Sequence, residues 1–193
     1  MDNNLFFILI GAIFINNYVL VQFLGMCPFF GVSRSTETAL GMGLSVIFVM
    51  TVSSAMTHLF NQYILIPLDL DYLRTVVFVL IIASIVQFVE VFMKKTFTVL
   101  YAMLGVYLPL IATNCAIVGV TLINVRNEFT FLETIINSLG AGAGFTLAIL
   151  LLAGIREKFD NNPDIPEIVK GFPLSLFSAG LMSIAFMGFQ GLI

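Results

Sequence analysis

The chain holds two cysteines, and they are its best candidates for chemistry. Cys27 lies in FLGMCPFFG, from Phe23 to Gly31, directly before Pro28, and Cys115 lies in LIATNCAIVGV. Both sit in apolar runs with no charge nearby. Three readings of the pair compete. Free cysteine is among the most buried residue types, so the thiols can be two small hydrophobes. A disulfide would need the oxidising side to reach both. Metal ligation is the third reading, because a thiolate buried in hydrocarbon is costly unless a cation pairs with it. There is no CxxC and no His/Cys cluster, which rules out a self-contained zinc site or a redox dithiol motif. An iron–sulfur cluster takes four cysteine thiolates. With two offered here, a cluster would need two more from another chain, most simply a related subunit facing this one across a second pseudo-two-fold axis.

The elements that must position these thiols lie in a membrane. Of 193 residues, 60% are hydrophobic and 10% charged, where a soluble domain carries roughly 25% charged residues. Such a chain cannot cover a water-facing surface. The net charge of -3, with no basic cluster beyond Lys94–Lys95, argues against a nucleic-acid partner. Asp2 stands where a signal peptide would carry Lys or Arg, so the first apolar segment reads as a retained span.

A span needs about 20 mostly apolar residues. Six segments qualify, near 5–27, 38–58, 73–93, 98–122, 134–154 and 172–192. The first, third and fifth loops carry Arg34, Lys94, Lys95, Arg156, Lys158 and Lys170, whereas the second and fourth carry only Arg74 and Arg126. The excess places the odd loops in the cytoplasm and both termini outside. Residues 156–170 read as a solvated connector, and no water-soluble domain is left over. The expectation is one all-α transmembrane domain over 1–193.

That domain has an internal repeat. ALGMGLSVIFVM (39–50) matches SLGAGAGFTLAI (138–149), with Leu-Gly-x-Gly starting at Leu40 and at Leu139. A cysteine-bearing segment precedes each copy and a further span follows it. Three spans per copy is an odd number, so halves 1–95 and 96–193 are expected to enter from opposite sides as inverted repeats. Gly140-x-x-x-Gly144 is the small-residue spacing that lets helices approach closely.

Segments one and four are overlong and interrupted, by Asn16–Asn17, Gly25 and Pro28–Gly31 in one and by Gly105, Pro109, Asn114 and Gly119 in the other. Proline disfavours a helical conformation in the residue before it, which here is Cys27. Broken apolar segments at matching positions of inverted halves point to a site near the midplane. Half-helices from opposite faces would bring Cys27 and Cys115 together there, with Asn16, Asn17 and Asn114 bonding the backbone groups that the breaks free. Glu90 is the most intramembrane carboxylate, but an i,i+4 pair with Lys94 accounts for it. His58 reads as an interface anchor, and Gln87 could pair with a neighbouring helix.

NNYVLVQFLGMCPFFGVS (16–33), ETALGMG (37–43), LPLIATNCAIVGV (108–120), AGIRE (153–157) and GLMSIAFMGFQGL (180–192) carry a family resemblance. Over essentially its full length the chain resembles the A subunits of Rnf ion-translocating ferredoxin:NAD oxidoreductase complexes. The E subunit of the Na⁺-translocating NADH:quinone oxidoreductase, Nqr, is similar and shares both cysteine segments. ILIPLDLDYLRT (64–75) looks more like Rnf. The resemblance implies a six-span subunit of a prokaryotic cytoplasmic (inner) membrane, with half-helices in spans one and four. It implies pairing with a homologous E subunit of opposite topology. Between the two would lie a [2Fe–2S] cluster, with Cys27 and Cys115 as this chain's ligands to its iron. The implied job is electron relay between ferredoxin-side and flavin-bearing subunits, coupled to Na⁺ or H⁺ movement. Flavins and the NAD site would belong to other Rnf subunits (B, C, D and G), so no complete active site is expected in this chain. Two rivals remain: a secondary transporter built on inverted repeats, and a scaffold whose thiols are inert.

Overall fold

The structure, a computed structural model, describes residues 2–33, 35–68, 71–96, 111, 113–160 and 171–188. Among them the regular elements are all helical, and those longer than one turn are α1 (Asp2–Ile10), α2 (Met26–Val32), α3 (Thr36–Phe60), α4 (Arg74–Thr96), α5 (Cys115–Arg126), α6 (Phe131–Asp160) and α7 (Phe172–Met187). A π-helical turn, Gly11–Ile15, extends α1, and another, Asn61–Leu65, extends α3. The stretches Thr36–Leu65, Arg74–Val91 and Phe131–Asp160 are long and apolar enough to cross a membrane. Leu5–Ile15, Cys115–Arg126 and Phe172–Met187 are apolar but shorter. The first part of the fourth expected segment, with Gly105 and Pro109, lies outside the described residues, as do Arg34, Lys170 and residues 189–193. The expected pair of Glu90 with the Lys94 side chain likewise falls outside what is described.

Local chemistry sets the helix starts. Ser35 caps α3 by accepting the Thr38 N–H at 3.4 Å. At the start of α6 the Glu133 carboxylate reaches back to Thr130, accepting its N–H at 2.9 Å and its hydroxyl at 2.8 Å. α6 then continues past the apolar run as far as Asp160, so Arg156 and Lys158 stand on its last turns and not in a loop.

The surface is apolar and much of the interior is not. Phe7, Phe88, Phe177 and Ile184 are exposed, whereas Asn17, Ser53, Thr121, Asn124 and Ser138 are buried. Lipid is as apolar as leucine, so helices in a membrane associate through close packing and polar side chains. One seam of this kind runs Tyr18, Asn137, Asn124, Ser138. Asn137 Nδ2 donates to Asn124 Oδ1 at 2.6 Å and to the Tyr18 hydroxyl at 3.3 Å, and Asn124 Nδ2 donates to Ser138 Oγ at 3.2 Å.

α3 and α6 form the central pair and run antiparallel. Thr36, at the start of α3, donates to Glu157 near the end of α6 at 2.7 Å. At the other end the ring of His58 lies 5.8 Å from that of Phe131. The repeat glycines make this contact. A Cβ on Gly43 would come within 2.5 Å of the Thr146 side chain, and one on Gly142 within 2.9 Å of the Ile47 Cα. Each glycine lies three residues after its repeat leucine, and each meets the residue seven after the other repeat's leucine. The contact is thus reciprocal between the two repeat segments. Gly140 and Gly144 face the first segment, against Leu9, Ala12 and Ile13. Gly142→Leu is expected to overpack the α3–α6 contact, cost about 1–3 kcal/mol and lower the melting midpoint of the detergent-solubilised protein. Gly154→Ala, whose Cβ would meet nothing within 4 Å among the described residues, should leave it in place.

Candidate functional site

Between α1 and α2, residues 16–25 form turns instead of a regular helix; the Val21 and Leu24 N–H groups still find the Asn17 and Tyr18 carbonyls at 2.9 and 3.0 Å, and side chains supply further bonds. Asn17 Oδ1 accepts the N–H groups of Val19 and Leu20 at 3.1 and 3.3 Å. Its Nδ2 donates to the carbonyls of Ile13 and Gly144 at 3.3 and 3.0 Å, which ties the break to α6. Ser183 on α7 adds a 2.6 Å bond to the Leu20 carbonyl. Asn16 is exposed, at the C-terminal end of the π turn. Two residues then take positive φ, Phe23 at 56° and Gly25 at 84°. Phenylalanine there stores strain of roughly 1–3 kcal/mol.

α2 starts immediately after Gly25 and contains Cys27. Pro28 does not push Cys27 out of the helix, contrary to the sequence reading. It occupies the first turn, where the missing N–H has no intrahelical partner to lose. The interruption falls upstream instead, at the asparagines and at Gly25. The far end of α2 is fastened by Arg156, whose Nη1 donates to the Phe30 carbonyl at 3.0 Å and to Ser33 Oγ at 2.8 Å.

Cys115 is the first residue of α5, behind Asn114 as N-cap. Asn114 Oδ1 accepts the Ala116 N–H at 3.0 Å. The other end of α5 is tied to the opposite end of α6, through the bonds of Asn124 to Asn137 and Ser138. From their cysteine ends, α2 and α5 therefore run toward opposite ends of the central pair.

The two starts meet. The Gly25 N–H donates to Cys115 Sγ at 2.9 Å. A Cβ on Gly25 would lie 3.0 Å from Ala116 Cβ, 3.2 Å from Asn114 Oδ1 and 3.2 Å from Phe145 Cε2. Phe145 stands halfway along α6, so this junction lies at its mid-height. Gly119 gives a second close approach, with a Cβ there only 2.6 Å from Leu24 Cδ1. Both cysteines are free and exposed on the surface of the single chain. No group of three or more His, Cys, Asp or Glu gathers among the described residues. The thiols therefore have no third ligand of those types beside them among those residues.

The other candidates stand apart. Glu90 is half-buried on α4 and Gln87 is exposed. His58 is half-buried, with Nδ1 3.5 Å from Thr134 Oγ1. Two participants are not visible as such in the sequence. Gly25 reads there only as a helix breaker, and its N–H as a donor to sulfur has no sequence signal. Arg156 reads only as a cytoplasmic charge, although its AGIRE setting is one of the stretches that carry the family resemblance.

Comparison with known proteins agrees with this architecture. Residues 5–193 match the family model described as Rnf-Nqr subunit, membrane protein. The chain is 57% identical over 188 residues to the A subunit of the Na(+)-translocating ferredoxin:NAD(+) oxidoreductase complex of Acetobacterium woodii, covering 97% of each chain. It is 51% identical over 186 residues to the A subunit of the ion-translocating oxidoreductase complex of Pseudoalteromonas translucida, covering 96% of each. The corresponding A subunit of Azotobacter vinelandii is 52% identical over 187 residues, again with 96% of each covered. A near-complete family match and full-length relatives above half identity settle the classification: the chain is a membrane protein of the Rnf-Nqr subunit family.

Proposed function

We propose that this chain is the A subunit of an Rnf-type ion-translocating ferredoxin:NAD oxidoreductase, and that Cys27 and Cys115 supply two of the four ligands of a [2Fe–2S] cluster. A homologous E subunit of opposite topology would supply the other two. The observation that carries this reading is the junction at mid-height of the bundle, where the Gly25 N–H reaches Cys115 Sγ at 2.9 Å and both thiols face outward. Exposed thiols in an otherwise apolar surface suit ligands that a partner completes better than they suit core packing.

The donor set fits the group. Cysteine thiolates are the usual ligands of such clusters, and N–H donors to sulfur help to set the potential. When bound, the cluster accepts and passes on a single electron. The chain's own residues do the rest. Gly25 and Asn17 hold the turn that presents Cys27, and Arg156 anchors the far end of its helix. Asn114 caps the helix that begins with Cys115, whose N-terminal dipole favours negative charge on sulfur.

The reciprocal Gly43 and Gly142 contacts and the antiparallel α3–α6 pair support a wider reading. In it the chain is one six-span domain of two inverted halves, 1–95 and 96–193, with broken spans one and four. It lies in the cytoplasmic (inner) membrane with both termini outside. Ferredoxin and NAD would act through the B, C, D and G subunits, which would also carry the flavins, and Na⁺ or H⁺ would move with the electrons. The test is assembly. Expressed alone, the chain should purify without the cluster. Expressed with its E-type partner, it should yield a [2Fe–2S] EPR signal after reduction. A signal from the lone chain, or none from the pair, would reject shared ligation.

A further inference from the structure

We propose that the cavity at the His58 end of the bundle seats a phospholipid headgroup, its phosphodiester held by Arg74 and Arg126 and the donor beyond the phosphate turned to Glu128. The cavity measures about 850 Å³, within the size range of small-ligand sites. Its walls come from both halves of the chain, with His58, Gln62 and Arg74 from the first and Arg126 and Glu128 from the second. Helix ends place them. α3 runs out through the π turn Asn61–Leu65, and α4 starts at Arg74. α5 stops at Arg126, after which Glu128 turns the chain at φ 52°.

Height, charge and the apolar part of the wall point to the same ligand. The membrane-crossing stretches Thr36–Leu65 and Arg74–Val91 end and begin at this cavity, so it lies where hydrocarbon gives way to headgroups. Tyr63 and Tyr72, 74% and 79% exposed, stand between His58 and Arg74, and tyrosine gathers at that level of a bilayer. Guanidinium groups meet phosphate oxygens with paired N–H groups. The helix dipole favours a cation at Arg126, on the last turn of α5. At Arg74, the first residue of α4, the dipole favours an anion instead, and that first turn has no acidic residue. Glu128 would repel a bare phosphate but matches a headgroup that carries an ammonium or hydroxyl donor beyond it. Ile66 and Phe131 line the same cavity and are 58% and 42% exposed, which gives acyl chains a surface that free phosphate would leave bare. A lipid seated here would tie the start of α4 to the turn between α5 and α6.

The experiment is native mass spectrometry of the full chain, stripped of lipid in detergent and titrated with phosphatidylethanolamine, phosphatidylglycerol or phosphatidylcholine. One molecule of either of the first two should bind ahead of phosphatidylcholine, whose headgroup has no donor. Arg74→Gln and Arg126→Gln should each weaken that binding about fivefold, the worth of one basic residue near a lipid surface. Lys158→Gln removes an exposed charge from the opposite end of α6 and should not change it. The same affinity in wild type and both arginine variants would overturn the site. Inorganic phosphate binding as tightly as the lipids would overturn the choice of ligand. Should the arginine variants fail to fold, wild-type complex is photolabelled with a phosphatidylethanolamine that carries a diazirine on its headgroup. Adducts on residues 58–66 or 125–131 support the site. Labelling that spares both segments rejects it and leaves the cavity to a protein partner.

Discussion

Cys27→Ser and Cys115→Ser, each introduced alone into the complete complex, are expected to remove one cluster's worth of iron, about two atoms, together with the EPR signal of that centre. Electron transfer from ferredoxin to NAD should fall to background in both. The effect should be all or none, because a cluster needs every ligand and the serine oxygen is a poor substitute for thiolate sulfur. Both side chains are exposed, so the change opens no cavity in the packed interior. The chain itself should still fold, and copurification of the subunits shows that the loss of iron and activity occurs in an assembled complex. Iron content unaltered by either change would leave the thiols as inert surface groups and would favour the scaffold role.

Much of this arrangement is legible in the sequence, because the signals are physical ones. Apolar runs of span length around Gly43 and Gly142 predict the long helices α3 and α6, and the shared Leu-Gly-x-Gly marks the surfaces on which they meet. Asn17 and Asn114, polar residues in otherwise apolar segments, do bond the backbone groups left over where helices stop. What the sequence hides is conformation at single residues. Pro28 looks like the breaker next to Cys27, yet proline at a helix start and proline after a break give the same local text. Phe23 at positive φ carries no composition signal at all. Contacts of backbone atoms are equally out of reach, since a glycine's N–H belongs to every residue type and only the fold aims it at sulfur. Arg156 is hidden for a related reason. Charge counting treats a basic residue as a marker of side, whereas here the guanidinium also holds the end of α2.

Gly25→Val should also empty the proposed centre, although it replaces neither cysteine. Gly25 sits at φ 84°, a region that costs an ordinary L-residue roughly 1–2 kcal/mol and a β-branched one more. Its new Cβ would stand 3.0 Å from Ala116 Cβ and 3.2 Å from Asn114 Oδ1, before any room is found for the two methyl groups. The turn can relieve this only by rotating or by pushing α5 away from α2. Either movement takes the Gly25 N–H off Cys115 Sγ and changes the spacing of the two thiols, while Cys27, Cys115 and the proposed partner cysteines stay in the sequences of the complex. Iron content should therefore drop as far as in the cysteine variants, whereas Gly154→Val, at a glycine whose Cβ would meet nothing within 4 Å among the described residues, should retain it. The comparison separates two claims that serine substitution leaves joined. Loss in the cysteine variants alone would mean that the ligands suffice wherever the turn puts them. Loss in both would mean that the junction of the two short helices, held by one glycine, is what makes two distant cysteines into half of one metal site.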